Sequence, residues 1–360
     1  MDKELTNKYM IADTDTSSIP YPWQQQAWQR IQMQIAQDKT PHALLLSGQQ
    51  GIGKWHFAES LADYLLCLSP KADLACGQCR SCQLRLAGTH PDKKWCMPDE
   101  PGKAIKIDQV RELSGFIAKT SQQGGKKVVL LGPVEQLNIN SANALLKSLE
   151  EPAGDTILIL VTHVLSGVMA TIRSRCQLLP LASPSTDVAL AWLQQLQVED
   201  ASTLLRLSGG APLIAKNMVE GDYLDHLTVF ISILERLSNP STAPESPDVS
   251  MANQWLPLSI NHLTDWWLQL IHSILTEAAV ETSLTEEDSD VSSTHQNSLS
   301  VSQGVARILH AGRTFNKQWL CKFSDKLLAL RQQQLSGANP NMQLLVEELL
   351  LDWQIIVQRS

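Results

Sequence analysis

The chain reads as an α/β domain of the P-loop type followed by an all-α C-terminal region. Three observations predict this. Residues 48–55, GQQGIGKW, put a glycine-rich phosphate-binding turn between a short apolar run and a helix-spaced segment. Further apolar runs at 128–131 and 155–162 alternate with helical patterns, as in a parallel sheet. From residue 183 onward helical patterns dominate, with apolar stripes on 263–275, 319–335 and 342–356.

The elements follow in order. Residues 1–20 form a polar extension without the apolar core of a signal peptide. The run HALLLSG at 42–48 is a buried strand, and 55–67 is a helix with Phe57, Leu61, Tyr64, Leu65 and Leu68 on its apolar stripe. In the turn between them Gly48, Gly51, Gly53 and Lys54 match a P-loop, whose amides and lysine cradle phosphates. The Ser or Thr that should ligate Mg²⁺ is Trp55, and an indole has a single N–H donor and no acceptor oxygen. The strand Val128–Leu131 should end in the acidic residue that also holds Mg²⁺, but Gly132 and Pro133 follow, and Glu135 comes three residues too late. Hydrolysis by this chain is therefore not expected. Lys54 and the loop amides leave phosphate or nucleotide binding open.

Between these strands lie Cys67, Cys76, Cys79 and Cys82, spaced C-x8-C-x2-C-x2-C. Thiolates at this spacing suit a closed tetrahedral Zn²⁺ site with a structural role. An iron–sulfur cluster is the alternative; its next cysteine would fall at residue 86, which is Leu86. Cys96, Cys176 and Cys321 are expected to be buried thiols.

Residues 140–152, NSANALLKSLEEP, form a helix with Ala142, Leu145, Leu146 and Leu149 on one stripe and Pro152 past its end. The strand 155–162 closes at Thr162, and IRSRC, with Arg173 and Arg175, precedes a final short strand. By pattern alone both arginines are ordinary surface charges. A turn at 208–211 opens a helix at Pro212. Two polar, Lys- and Arg-free stretches, 238–250 and 281–303, are expected to be mobile insertions.

Composition narrows the function. With 360 residues, two or three domains are expected, and 43% hydrophobic content suffices for full cores. A net charge of −8 argues against general nucleic-acid binding, so any DNA contact would be a local patch. No apolar run approaches the ~18 residues of a membrane span, and a cytoplasmic protein is expected.

The order YPW, HALLLSGQQGIGK, four cysteines, GTHPD at 88–92, SANALLKSLEEP and IRSRC resembles the delta-prime subunits of the bacterial DNA polymerase III clamp loader, a family of AAA+ proteins. The resemblance is specific over roughly 21–225. It implies an AAA+ domain at 21–182 with a zinc module at 67–82, a small helical lid domain at 183–222 and a helical collar domain at 223–360. It also implies a non-hydrolysing stator within a hetero-pentamer of gamma/tau motor subunits and delta, acting on the sliding clamp and primer–template DNA in a nucleoid-associated replisome. Arg175 would reach in trans into a neighbour's ATP site, while Arg173 has no assigned role. Leu213 stands where a motor subunit carries a sensing Arg, and Thr162 at another nucleotide-sensing position, read here as structural. The chain would be part of a DNA-directed DNA polymerase holoenzyme without ATPase or polymerase activity of its own. The alternatives are a working AAA+ ATPase motor, which Trp55, Gly132 and Pro133 oppose, and a zinc-bearing DNA-binding protein, which the acidic charge opposes.

Overall fold

The sheet is built on three apolar strands that are buried on both faces, and the rest of the first half of the chain is arranged around them. A computed structural model describes residues 19–100, 102–123, 125–152, 154–219, 223–238, 249–256, 258, 260–280, 296–335 and 341–359. The chain divides into two compact units, Met1–Val188 and Ala189–Ser360.

In the first unit five parallel strands take the order β2-β3-β4-β1-β5. They are β1 (Ala43–Ser47), β2 (Lys93–Cys96), β3 (Lys127–Leu131), β4 (Thr156–Thr162) and β5 (Gln177–Pro180). Every residue of β1, β3 and β4 is buried, as parallel strands covered on both faces require. Alternate residues serve two cores. Leu44, Leu46, Val128, Leu130, Ile157 and Ile159 pack with helices α1 (Gln25–Ala36) and α2 (Lys54–Leu66). Leu45, Val129, Leu131, Leu158 and Leu160 pack with α4 (Ile107–Ile117) and α5 (Ile139–Glu150). Between α2 and β2 lies the cysteine excursion with its short helix α3 (Arg80–Leu86). Asn138 caps α5, accepting the Ser141 N–H at 2.8 Å. A short helix, α6 (Ala170–Arg173), precedes β5. A parallel α/β sheet domain followed by helices is the architecture expected.

Two local expectations are corrected here. The helix after the P-loop ends at Leu66 rather than 67, and Leu68 is exposed rather than part of the stripe. Cys67 is already extended, because the chain must leave the helix to bring its sulfur to the other cysteines. Strand β2 carries only a short apolar signal, Trp95 and Cys96, after two lysines. The Lys93 side chain is nonetheless largely covered there, because Glu59 and Asp63 each meet its ammonium at 3.0 Å.

The second unit is helical: α7 (Thr186–Gln195) leads in, followed by α8 (Ala201–Leu207), α9 (Pro212–Asn217), α10 (Tyr223–Ser238), α11 (Val249–Trp255), α12 (Ile260–Val280), α13 (Gln296–Gly312), α14 (Lys317–Leu335) and α15 (Met342–Gln358). Its core is centred on Phe230, Trp255, Trp266, Trp267 and Trp353, all essentially inaccessible. The indole N–H groups of Trp266 and Trp353 donate to Tyr223 Oη at 2.7 Å and Ser238 Oγ at 3.2 Å, which removes the cost of burying them.

The polar stretches are shorter than expected. Residues 239–248 and 281–295 lie outside the described residues, but 249–250 begin α11 and 296–303 begin α13. Val301, Val305, Ile308 and Leu309 are buried at helical spacing, and this stripe overrides the polar composition of its first turn. On α15, Leu345, Leu349, Trp353 and Ile356 are buried as their spacing predicts. Leu350 is buried too and widens that face; the exposed apolar residues are Leu344, Leu351 and Ile355. Cys321 is exposed rather than buried, because Leu320, Phe323 and Leu327 take the core side of α14. Among the described residues no helix is long and apolar enough to cross a membrane.

Candidate functional site

Strand β1 delivers the chain into the glycine loop, and α2 begins directly after it. Gly53 starts the helix with φ +83°, a left-handed conformation that glycine alone adopts without strain. A Cβ there would fall 2.4 Å from the Tyr21 ring. The loop is held from outside by the segment just before α1. Trp23 Nε1 donates to Ile52 O at 3.0 Å, and Gln24 Nε2 donates to Ile52 O and Gly53 O at 2.8 and 3.0 Å. Tyr21 and Trp23 stack with centroids 4.8 Å apart. The YPW motif is therefore a brace on the loop.

Lys54 turns inward. Its ammonium donates to Gly48 O at 2.7 Å and to Gln49 O, so two of its three N–H donors are spent on the loop's own carbonyls. Burial lowers its pKa to about 7, against the pull of the Glu135 carboxylate. A lysine whose folded pKa lies below its unfolded value binds fewer protons when folded in the interval between the two. Its penalty is complete below the folded value and is relieved as pH rises through the window. The stability of wild-type protein relative to Lys54→Met is therefore expected to increase from about pH 6 to about pH 10. Urea melts across that range test this; a flat difference would mean that the pKa is not depressed.

Trp55 and Gly132 are the two residues that depart from the P-loop pattern, and the fold brings them together. Trp55 is buried, 5.6 Å from Trp95 between ring centroids. A Cβ on Gly132 would lie 3.2 Å from Trp55 Cη2 and 2.5 Å from Val161 O. The Val161 carbonyl and, beyond it, the indole thus close the space that a side chain at 132 would enter, and the two departures from the P-loop pattern are neighbours in space. Gly132→Asp is accordingly expected to lower the unfolding midpoint without producing Mg²⁺-dependent ATP binding. Thermal melts and a labelled-ATP titration with and without Mg²⁺ check it; tight Mg²⁺-dependent binding by this variant would overturn the steric account.

Glu135 sits in the turn after β3 and is committed to the end of β4. It accepts the Thr162 hydroxyl at 2.6 Å and the His163 N–H at 2.8 Å. His163, with no signal in the sequence, completes this cluster. Burial and the Lys54 charge depress its pKa to about 3, so the ring is neutral, and Nδ1 is buried without a partner. Thr162 makes its hydrogen bond within the protein. Leu213 is buried in the second unit.

The four cysteines converge as their spacing predicts. Their sulfurs all lie within 4.8 Å of one another. Cys76–Cys82 and Cys82–Cys67 are separated by 3.9 and 3.8 Å. A tetrahedral site with Zn–S of about 2.3 Å requires S···S of about 3.8 Å, so the donor set fits such an ion. Backbone N–H groups of Cys76, Cys79 and Cys82 point at the sulfurs of Cys67, Cys76 and Cys79, a charge-stabilising shell for thiolates. The Ser69 hydroxyl and neighbouring amides bring the Cys76 pKa down to about 5. The GTHPD motif fastens this excursion to the sheet: Ser81 Oγ meets His90 Nε2 at 2.9 Å, and Asp92 accepts from Ser121, Gln122 and Gln123.

Arg175 lies between α6 and β5 with its side chain about one-third exposed. Its Nε donates to Glu150 Oε1 at 2.7 Å and its Nη1 to Thr171 O at 2.9 Å. Arg173, two residues earlier, is exposed.

The chain is similar to several known proteins. A family model described as "DNA polymerase III, delta subunit" matches residues 23–185. DNA polymerase III subunit delta' of Pseudomonas aeruginosa is 38% identical over 337 residues, covering 92% of this chain and 97% of the relative. The same subunit of Yersinia pestis is 32% identical, covering 93% and 95%. That of Escherichia coli K12 is 37% identical over 205 residues, covering 56% and 61%.

Proposed function

Since the chain belongs to the delta' family of DNA polymerase III clamp-loader subunits, we propose that it is the loader's non-hydrolysing stator. It takes part in a hetero-pentamer with delta and the gamma/tau motor subunits, which loads the sliding clamp onto primer–template DNA in the cytoplasm. Residues 183–222 act as its lid domain and 223–360 as its collar domain. The four cysteines hold a structural Zn²⁺, which cross-links the excursion and takes no part in chemistry.

One observation carries the reading: Trp55 lies against Gly132, the two positions at which the P-loop pattern calls for Mg²⁺ ligands, while Arg175 remains partly exposed. The chain thus keeps the group that acts on a neighbour and lacks those that act on its own nucleotide. In this role the Arg175 guanidinium enters the adjacent subunit's ATP site and stabilises charge developing on the transferred phosphoryl group. Gly48, Gly51, Gly53 and Lys54 keep the shape of a P-loop, with Lys54 closed onto it. A motor role is opposed by the same indole, and turnover of ATP by the isolated chain would establish it. The direct test is ATP turnover by the reconstituted loader with wild-type chain and with Arg175→Ala. Lower turnover with assembly intact supports the stator; unchanged turnover and clamp loading would remove Arg175 from the mechanism.

A further inference from the structure

We propose that Glu150 is a positioning residue for Arg175, fixing one edge of the guanidinium so that its other edge is presented to the neighbouring subunit. This rests on the assignment of Arg175 as a residue acting in trans.

The two residues stand 25 apart in the chain, in the segments SLEEP and SRC, and the fold joins them. Glu150 is the last residue of α5. A carboxylate in the final turn of a helix faces the negative end of the helix dipole, so Glu150 does not serve the helix it ends. Its Oε1 instead receives Arg175 Nε at 2.7 Å and Nη2 at 2.5 Å. On the other side Nη1 donates to Thr171 O at 2.9 Å, with Ser174 Oγ at 3.5 Å. A guanidinium has five N–H groups in a rigid plane. Three are thereby taken, and the fourth has only the long contact to Ser174. The fifth, on Nη2, belongs to the outer end of the fork formed by Nη1 and Nη2. That end is the one able to meet two phosphate oxygens at once.

The backbone supports the same orientation. Arg175 N donates to Ile172 O at 3.0 Å, closing a turn that sets the direction in which the side chain leaves α6. Pair and turn together hold an otherwise long, freely rotating side chain. The pair is weak while water surrounds it, with side chains 34% and 50% exposed. Docking of a neighbour would exclude that water and strengthen it. Glu150 therefore acts mainly in the assembled loader, on the rate of the chemical step more than on the folding of the free chain.

The experiment uses the reconstituted loader with full-length wild-type chain, Glu150→Ala, Glu150→Gln, Arg175→Ala and the double variant Glu150→Ala/Arg175→Ala. Single-turnover ATP hydrolysis and steady-state kcat and KM are read for each. Glu150→Ala is expected to lower the rate at the completed site on the order of 10-fold, as loss of a supporting contact does, with KM for ATP little changed. Glu150→Gln keeps an acceptor oxygen at the same reach and recovers part of the rate, which also guards against misfolding of the alanine variant. The double variant is no slower than Arg175→Ala alone. A wild-type rate for Glu150→Ala beside a slow Arg175→Ala would overturn the positioning role while leaving Arg175 in place. So would a faster Glu150→Ala, which would make the carboxylate a restraint, or full additivity in the double variant. A wild-type rate for Arg175→Ala would remove the premise itself.

Discussion

Removing the Zn²⁺ proposed at the four cysteines is expected to unfold the excursion between Cys67 and His90 while leaving the sheet folded. The excursion has little apolar substance of its own. Helix α3 spans only seven residues, and its buried residues are Ser81 and Cys82. Leu68 and Leu86 are exposed. The four sulfurs, within 4.8 Å of one another, are what crosses the segment. Drawing thiolates that close without a cation is unfavourable, and structural zinc in small peptides supplies roughly 10–16 kcal/mol of apparent binding energy that appears as folding energy. The sheet keeps its own two cores, to which the excursion contributes only Leu74 at the margin. The purified chain should therefore contain one zinc. Chelation, or Cys79→Ser, should open 67–90 to protease while the helical second unit resists. Less than one equivalent of zinc in untreated protein, or unchanged proteolysis after chelation, would rule out the structural metal.

Replacing Arg175 is expected to have the largest effect on activity. A guanidinium supplied in trans to a phosphoryl-transfer site contributes about 10³–10⁵ in rate at that site. In the proposed role one chain completes one neighbour, so Arg175→Ala should abolish single-turnover hydrolysis at that site while total steady-state turnover falls only by the site's share. Arg175→Lys should rescue little, because an ammonium cannot meet two phosphate oxygens with a planar fork. Assembly should survive both changes, since among the described residues the side chain's hydrogen bonds go to Glu150, Thr171 and Ser174 of its own chain. Loss of the pentamer on Arg175→Ala would make the residue an interface contact instead.

Sequence and structure divide along the range over which each interaction acts. The strands at β1, β3 and β4 are legible because both faces are apolar, and the glycine loop is legible because its neighbours in space are its neighbours in sequence. The cysteine spacing is legible because four thiols within a short segment can reach one ion. Strand β2 is not legible, since covering Lys93 depends on Glu59 and Asp63 from α2. The start of α13 is hidden because polar residues fill its first turn, and only packing of Val301 and Val305 decides it.

By itself, then, the sequence determined the family and the cysteine set, each carried by residue identity at short spacing. Only the tertiary structure decided that Trp55 lies against Gly132, that Lys54 closes onto its own loop, that Glu135 is bound to Thr162 and His163, and that Glu150 holds Arg175. Most of these pairs lie far apart in the chain. They meet because a parallel sheet gathers the ends of β1, β3 and β4 at one edge, and because α5 and the turn before β5 end side by side.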